Sequence, residues 1–285
     1  MTGGPSDPPP GPAAPGLTRR VALTLRADAV EGVLDELMPL LPQGVYERDL
    51  GGGRAEVAFY GAALPSAGAL DALAGAALLG REEEDVPDSR EERRRRAGRA
   101  WEVAGRLRVR SPADPPSEDD GLDIVVEPAP GAFGTGAHPT TRMCLELLLE
   151  LEPGGGLADL GCGSGVVAIA AARLGWDPVL ALDYDQRAVD ATWRNAQRND
   201  AEVRALLADL REVPPPPAST LAANVPLEIH ERVARALTSA TERVVATGIT
   251  ASQEPAAAAA YAAAGLQVVG RRAAGGWAAL RLMRG

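Results

Sequence analysis

At 285 residues the chain is long for one ordinary domain, and one large α/β domain with a smaller companion is the natural expectation. Its 46% apolar content is enough for a packed core, yet no apolar run reaches the roughly 18 residues needed to span a bilayer. The formal charge of −10 argues against broad affinity for DNA or RNA, whose binding rests on basic side chains, so a basic protein is the expected partner. Only Cys144 and Cys162 could pair, and the first residues lack the basic, apolar and cleavage-site blocks of a secretory leader. A reducing, cytoplasmic home is expected. All 29 basic residues are arginine, a bias that reads most simply as codon usage.

Residues 1–16 are Pro, Gly and small side chains, a composition expected to form a disordered tail. A small α+β domain is expected over 17–87. The alternation of Val21, Leu23 and Leu25 predicts a strand, and Asp28 is placed to cap a helix carrying Val30, Val33, Leu34, Leu37 and Met38 that Pro42 stops. Two strands, 45–50 and 55–60, flank Gly51, Gly52 and Gly53, and a second helix is predicted over 66–79. This β-α-β-β-α order suits a ferredoxin-like sandwich. The stretch 81–99 runs from acidic residues to Arg93, Arg94, Arg95 and Arg96; it reads as a solvated linker helix or a docking patch, with the linker itself set at 88–104.

The large domain is expected over 105–285. Two strands, 106–110 and 122–127, come first, separated by a Pro- and acid-rich loop. From Leu157 onward strands and helices alternate, the sequence form of a parallel sheet covered by helices. Seven strands are predicted, at 157–160, 179–182, 203–207, 220–223, 243–247, 266–270 and 277–282. Helices are predicted at 166–174, 186–198, 227–237 and 253–264, with a short piece or loop after Asp209. The last two strands have only a Gly-rich turn between them and should pair antiparallel.

In open α/β sheets ligands bind beyond the C-terminal strand ends. Here the first such turn is Asp159-Leu160-Gly161-Cys162-Gly163-Ser164-Gly165. Glycines let the backbone lie against a ligand, and the following helix start offers unpaired N–H groups to an anion such as a carboxylate. The dinucleotide pattern G-x-G-x-x-G fails, because its third glycine would fall at Val166, and a chain without lysine has no phosphate loop of the Gly-Lys type. Asp-x-Gly-x-Gly-x-Gly instead resembles the first motif of class I methyltransferases, which implies a seven-stranded Rossmann-like domain with S-adenosylmethionine as cofactor. Asp159, Gly161, Gly163 and Gly165 would form its cradle, with the leading acid facing the methionyl amino group. Asp183 ends the second strand, where a carboxylate can accept both hydrogen bonds of a ribose diol, and Asp185 reads as the cap of the next helix. The resemblance places Asp209 beside the adenine amino group.

The segment Phe133-Gly134-Thr135-Gly136-Ala137-His138-Pro139-Thr140-Thr141 is more particular, and it closely resembles the signature of the PrmA family, bacterial methyltransferases of ribosomal protein uL11. The likeness continues through 161–165, 195–199, Ala223-Asn224 and 248–253, and covers roughly residue 106 to 285. It implies a protein N-methyltransferase acting on lysine or α-amino groups of uL11, with the small N-terminal domain recognising the substrate. Where the family carries Asn-Ile-Leu-Ala-Gly-Pro-Leu, this chain has the shorter Asn224-Val225-Pro226-Leu227, and its linker keeps only Trp101.

Asn224 is the candidate for orienting the amine, since its carbonyl accepts an N–H without titrating, although it could simply tie its loop. Thr140 and Thr141 could cap the helix starting near Arg142 or line the cofactor mouth, with Thr141 the cofactor-binding candidate. His138 reads as structural, His230 as a surface residue of an amphipathic helix, and Cys162 as a small packing residue. No metal site is expected. Two other readings stay open: an N-methyltransferase of another protein, because the short Asn-Val-Pro-Leu loop also resembles the Asn-Pro-Pro-aromatic motif of amide and base methyltransferases, and a cofactor-binding scaffold without turnover.

Overall fold

The computed structural model describes residues 17–37, 40, 46–61, 64–87, 100–112, 114–116, 121–127 and 138–285. The expected tail at 1–16, the helix end at Met38 and Pro42, Arg93 to Arg96, and the signature residues 133–137 lie outside the described residues. The chain divides into two compact units, Met1–Arg96 and Ala97–Gly285.

In the first unit the alternating apolar residues give β1 (Leu17–Arg26), with Val21, Leu23 and Leu25 buried. Asp28 sits inside a 3-10 turn, Ala27–Ala29, and ion-pairs with Arg26 at 3.2 Å; α1 (Val30–Leu37) follows and buries Val30, Val33, Leu34 and Leu37. β2 (Tyr46–Gly51) and β3 (Arg54–Tyr60) form the expected hairpin. The second helix, α2 (Ala67–Ala74), is shorter than the sequence suggests: the Ala69 N–H donates to Ser66 Oγ at its start, and Gly75, at φ 49°, ends it.

A short 3-10 turn then leads into β4 (Leu78–Pro87), so the first part of the charged stretch is a strand rather than a helix or linker. Arg81, Glu82, Glu83, Glu84 and Asp85 hide it by erasing any apolar alternation, a common property of sheet edges. β4 is held by pairing antiparallel with β1. The order β2-β3-β1-β4, antiparallel at every contact, is ferredoxin-like. On one face Ala22, Ala58, Tyr60 and Val86 cluster beside the buried Arg20, which pairs with Glu84 at 2.9 Å and Glu56 at 3.2 Å.

The second unit opens with β5 (Trp101–Val103), which lies inside the linker expected at 88–104. It pairs antiparallel with β6 (Leu107–Arg110), and β6 runs parallel to β7 (Leu122–Val125). α3 (Pro139–Leu148) begins before Arg142. Then follow β8 (Leu157–Leu160), α4 (Val166–Leu174), β9 (Val179–Asp183), α5 (Gln186–Arg198), β10 (Arg204–Leu207), β11 (Thr220–Asn224), α6 (Leu227–Ala236), β12 (Arg243–Thr250), α7 (Glu254–Ala263), β13 (Leu266–Ala274) and β14 (Trp277–Arg284).

These seven strands lie in the order β10-β9-β8-β11-β12-β14-β13, parallel except for β14, which runs antiparallel to both neighbours. This is the Rossmann-like sheet of class I methyltransferases. The final hairpin closes on Gly275 and Gly276, both at positive φ, the pairing that a two-residue turn matched to strand twist requires. The fully buried Leu221, Val244, Leu280, Leu282 and Tyr261 belong to the core that packs α6 and α7 against the sheet. Strand order reverses between β8 and β11, so their outgoing loops diverge at the C-terminal edge, the place where open α/β sheets bind ligands.

Candidate active site

Asp159 lies near the end of β8 and is 2% exposed. Its Oδ2 accepts the Ala168 N–H at 3.0 Å. Burial pushes the carboxyl up to about 7, the Ala168 bond works against that, and the charge of Asp183 adds to the rise. The turn beyond it is pinned to the neighbouring strand: the N–H groups of Gly161 and Cys162 both donate to Leu182 O, at 2.8 and 3.0 Å. Gly161 and Gly165 take φ of 76° and 82°, and a Cβ on either would lie 2.7 Å from Val225 Cγ1 or 2.8 Å from Thr192 Cγ2. These two glycines therefore make room for the protein's own loop and helix.

Asp183, at the end of β9, accepts the Gly163 N–H on Oδ2 and the Asp185 N–H on Oδ1, both at 3.0 Å. The Tyr184 backbone also bonds to this carboxylate, and with about four lone-pair positions it keeps capacity for a diol hydroxyl. Burial raises its pKa, against the pull of those backbone bonds. Asp185 caps α5 as expected, accepting the Arg187 N–H at 2.9 Å. Asp209 follows β10, and Arg211 grips both its oxygens through Nε and Nη2 at 2.8–3.1 Å, which holds its pKa down. The Arg211 guanidinium lies 5.2 Å from the Tyr184 ring centre, so Tyr184 and Arg211 bridge the Asp183 and Asp209 strand ends. Neither had a motif to announce it.

Asn224 ends β11 and its Nδ2 reaches Thr141 Oγ1 on α3 at 3.5 Å. Gly248, at φ 83°, lies in the irregular register of β12; a Cβ there would stand 2.7 Å from Val225 N and 2.8 Å from Asn224 Oδ1. Only a glycine lets β12 close on this loop. The structure thus brings Asp159, Gly161, Gly163, Gly165, Asp183, Asp209 and Asn224, with Thr141 beside it, to the C-terminal edge of one sheet.

A family model described as ribosomal protein L11 methyltransferase (PrmA) matches residues 101–285. The chain belongs to this family. It is 38% identical over 155 residues to a ribosomal protein L11 methyltransferase of Burkholderia vietnamiensis, and 39% identical over 155 residues to one of Burkholderia cenocepacia; each match covers 52% of this chain and 51% of the relative. The chain therefore spans about half the length of the curated relatives it matches. A solved structure of ribosomal protein L11 methylase from Lactobacillus delbrueckii subsp. bulgaricus is similar at 26% identity and a TM-score of 0.57, covering 66% of this chain and 99% of that one.

The histidines of this PrmA-family chain are both buried. His138 is the cap of α3: its Nδ1 accepts the Thr140 N–H at 3.3 Å and meets Thr140 Oγ1 at 2.8 Å, so neither Thr140 nor Thr141 is the capping residue. Desolvation lowers its pKa to about 4, and its ring lies edge-on to Trp277 at 5.0 Å. His230 is fully buried, which overturns the surface reading. Helical periodicity had placed it on a polar face, but α7 brings Tyr261 OH to 2.9 Å from Nδ1, and β12 brings Thr247 O to 2.8 Å from Nε2. With both ring nitrogens satisfied, the imidazole can be buried neutral. Cys162 is a packing residue whose thiol burial pushes up; its Sγ lies 3.3 Å from the Thr192 hydroxyl, which shares its one proton with Gly163 O.

Proposed function

We propose that the chain is an S-adenosylmethionine-dependent protein N-methyltransferase that modifies lysine side chains, α-amino groups or both on ribosomal protein uL11. The observation that carries this reading is that Asp159, the glycine turn, Asp183 and Asn224 meet at the C-terminal edge of one sheet, in a chain whose family is that of the ribosomal protein L11 methyltransferases. When bound, the cofactor supplies an electrophilic methyl group on a sulfonium.

The donor set fits such a group. Asp159 is a buried carboxyl with no cation against it among the described residues, suited to a methionyl amino group, and Asp183 keeps lone-pair capacity for a ribose diol. Asp209 marks the adenine side. Asn224 and Thr141 orient the incoming amine, and the Asn224 carbonyl accepts its N–H without taking up a proton. A lysine amine must shed its own proton first, at about 4 kcal/mol at pH 7.4, and does so to solvent. His138, held at about 4, is too weak a base to take it. Much of the rate then comes from alignment. The net charge of −10 favours a basic substrate, and a ribosomal target accords with a cytoplasmic site of action.

The short connection from Asn224 to α6, which starts at Leu227, favours one second reading: another protein as substrate at the same site. Labelled methyl transfer to purified cognate uL11, beside an Asp183→Ala control and with mass spectrometry of the product, decides between them. Labelling that vanishes in the control supports uL11. Cofactor binding without labelling would overturn uL11 as the substrate and favour another protein or a scaffold role.

A further inference from the structure

Helix α5 holds the glycine turn from behind and ties it to strand β7. Thr192 Oγ1 donates to Gly163 O at 3.2 Å, and Asn195 Nδ2 donates to Ser164 O at 2.9 Å, so two successive turn carbonyls are drawn toward the helix. In a planar trans peptide the C=O and the following N–H point in opposite directions. Capturing Gly163 O therefore aims the Ser164 N–H away from α5.

The same helix replaces a missing strand beside β7. Asn199 Oδ1 accepts the Val125 N–H at 2.8 Å and its Nδ2 donates to Val125 O at 2.7 Å; Asn195 Oδ1 accepts the Glu127 N–H at 3.0 Å and its Nδ2 donates to Glu127 O at 3.0 Å. A carboxamide offers one donor and one acceptor in a plane, as a peptide does. Residues two apart on a strand are separated by about 6.6 Å, and residues four apart on a helix by about 6 Å, so the two ladders nearly match. Asn199 engages the strand but has no bond to the turn. Asn195 engages both, and Arg198 Nη1 donates to its Oδ1 at 2.8 Å, which fills its hydrogen-bonding capacity.

Building on the proposed methyl transfer, we infer that Thr192 and Asn195 are positioning residues for the cofactor: they preset the glycine turn, and Asn195 couples that turn to the end of β7. An aspartate at 195 would keep the acceptor, lose both donated bonds and set a carboxylate against two carbonyls. A valine at 192 keeps the shape and removes the hydroxyl that reaches Gly163 O and Cys162 Sγ.

The test measures S-adenosylmethionine binding by calorimetry, together with thermal melting, on the full chain and on Asn195→Asp, Thr192→Val and Asn199→Asp. Asn195→Asp is expected to weaken binding about tenfold and Thr192→Val about threefold, while Asn199→Asp melts lower but binds within about twofold of wild type. Folded variants with unchanged binding, or Asn195 and Asn199 variants weakened equally in step with their melting points, would overturn the inference and leave the proposed activity standing. A wild-type chain that binds no S-adenosylmethionine would sink both.

Discussion

Asp159 and Asp209 stand at strand ends of the same sheet, yet burial pushes the first up to about 7 while Arg211 pulls the second below the ordinary carboxylate range. The inner acid is 2% exposed and bonded to one backbone amide; the outer is partly exposed and clasped by a guanidinium. Asp183 belongs with the inner group, braced by backbone amides and raised by burial. The inner end of the site therefore holds an unrelieved desolvation penalty that an arriving cation can offset, whereas the outer end is satisfied before any ligand comes. Substitutions should separate the two ends.

The largest effect is expected from Asp159→Asn. An acid whose folded pKa is raised from 3.8 to about 7 loses stability as pH climbs through that window. The asparagine variant lacks this loss, so its advantage over wild type should grow to about 4 kcal/mol by pH 8, read by denaturant unfolding across pH. An equal pH response in both proteins would erase the contrast between the ends.

His230 tests burial without a ligand role. Its folded pKa of about 4 lies below its ordinary 6.5, so wild-type stability is full above 6.5 and is lost as pH falls toward 4. His230→Asn is less stable at pH 7.5, where its bonds to Tyr261 and Thr247 are missing, and the gap should close by about 3 kcal/mol between pH 6.5 and 4. Parallel stability profiles would mean that His230 is not held neutral.

Asp183→Ala removes two backbone anchors of the turn and is expected to weaken S-adenosylmethionine binding about a hundredfold by calorimetry. Asp209→Ala, at the outer end, should weaken it only about threefold, because an exposed pair contributes little. Comparable losses from the two alanines would break the inner–outer distinction.

Much of the second unit was legible because each of its signals is local. Helix α5 was predicted over the residues it occupies, since Asp185 caps it and its apolar period is strong. The strand ends carrying Asp159, Asp183 and Asn224 followed from short apolar runs stopped by glycine or a polar residue. β4 and β5 were missed for the opposite reason. A charged edge strand and a three-residue strand have no pattern of their own, and each is held by the neighbour it pairs with. α2 stops at Gly75, which takes a positive φ, and not at the expected residue 79, because the residues beyond it pair with β1.

The amino-acid sequence by itself determined the sheet order's raw material, the glycine turn and the acids at the strand ends, because hydrophobic period, caps and glycines act over a few residues. Tertiary structure alone decided that His230 is buried against Tyr261 and that Asn195 joins the glycine turn to β7. Each of these depends on a partner between 31 and 68 residues away along the chain, where packing, not local periodicity, chooses which polar groups meet.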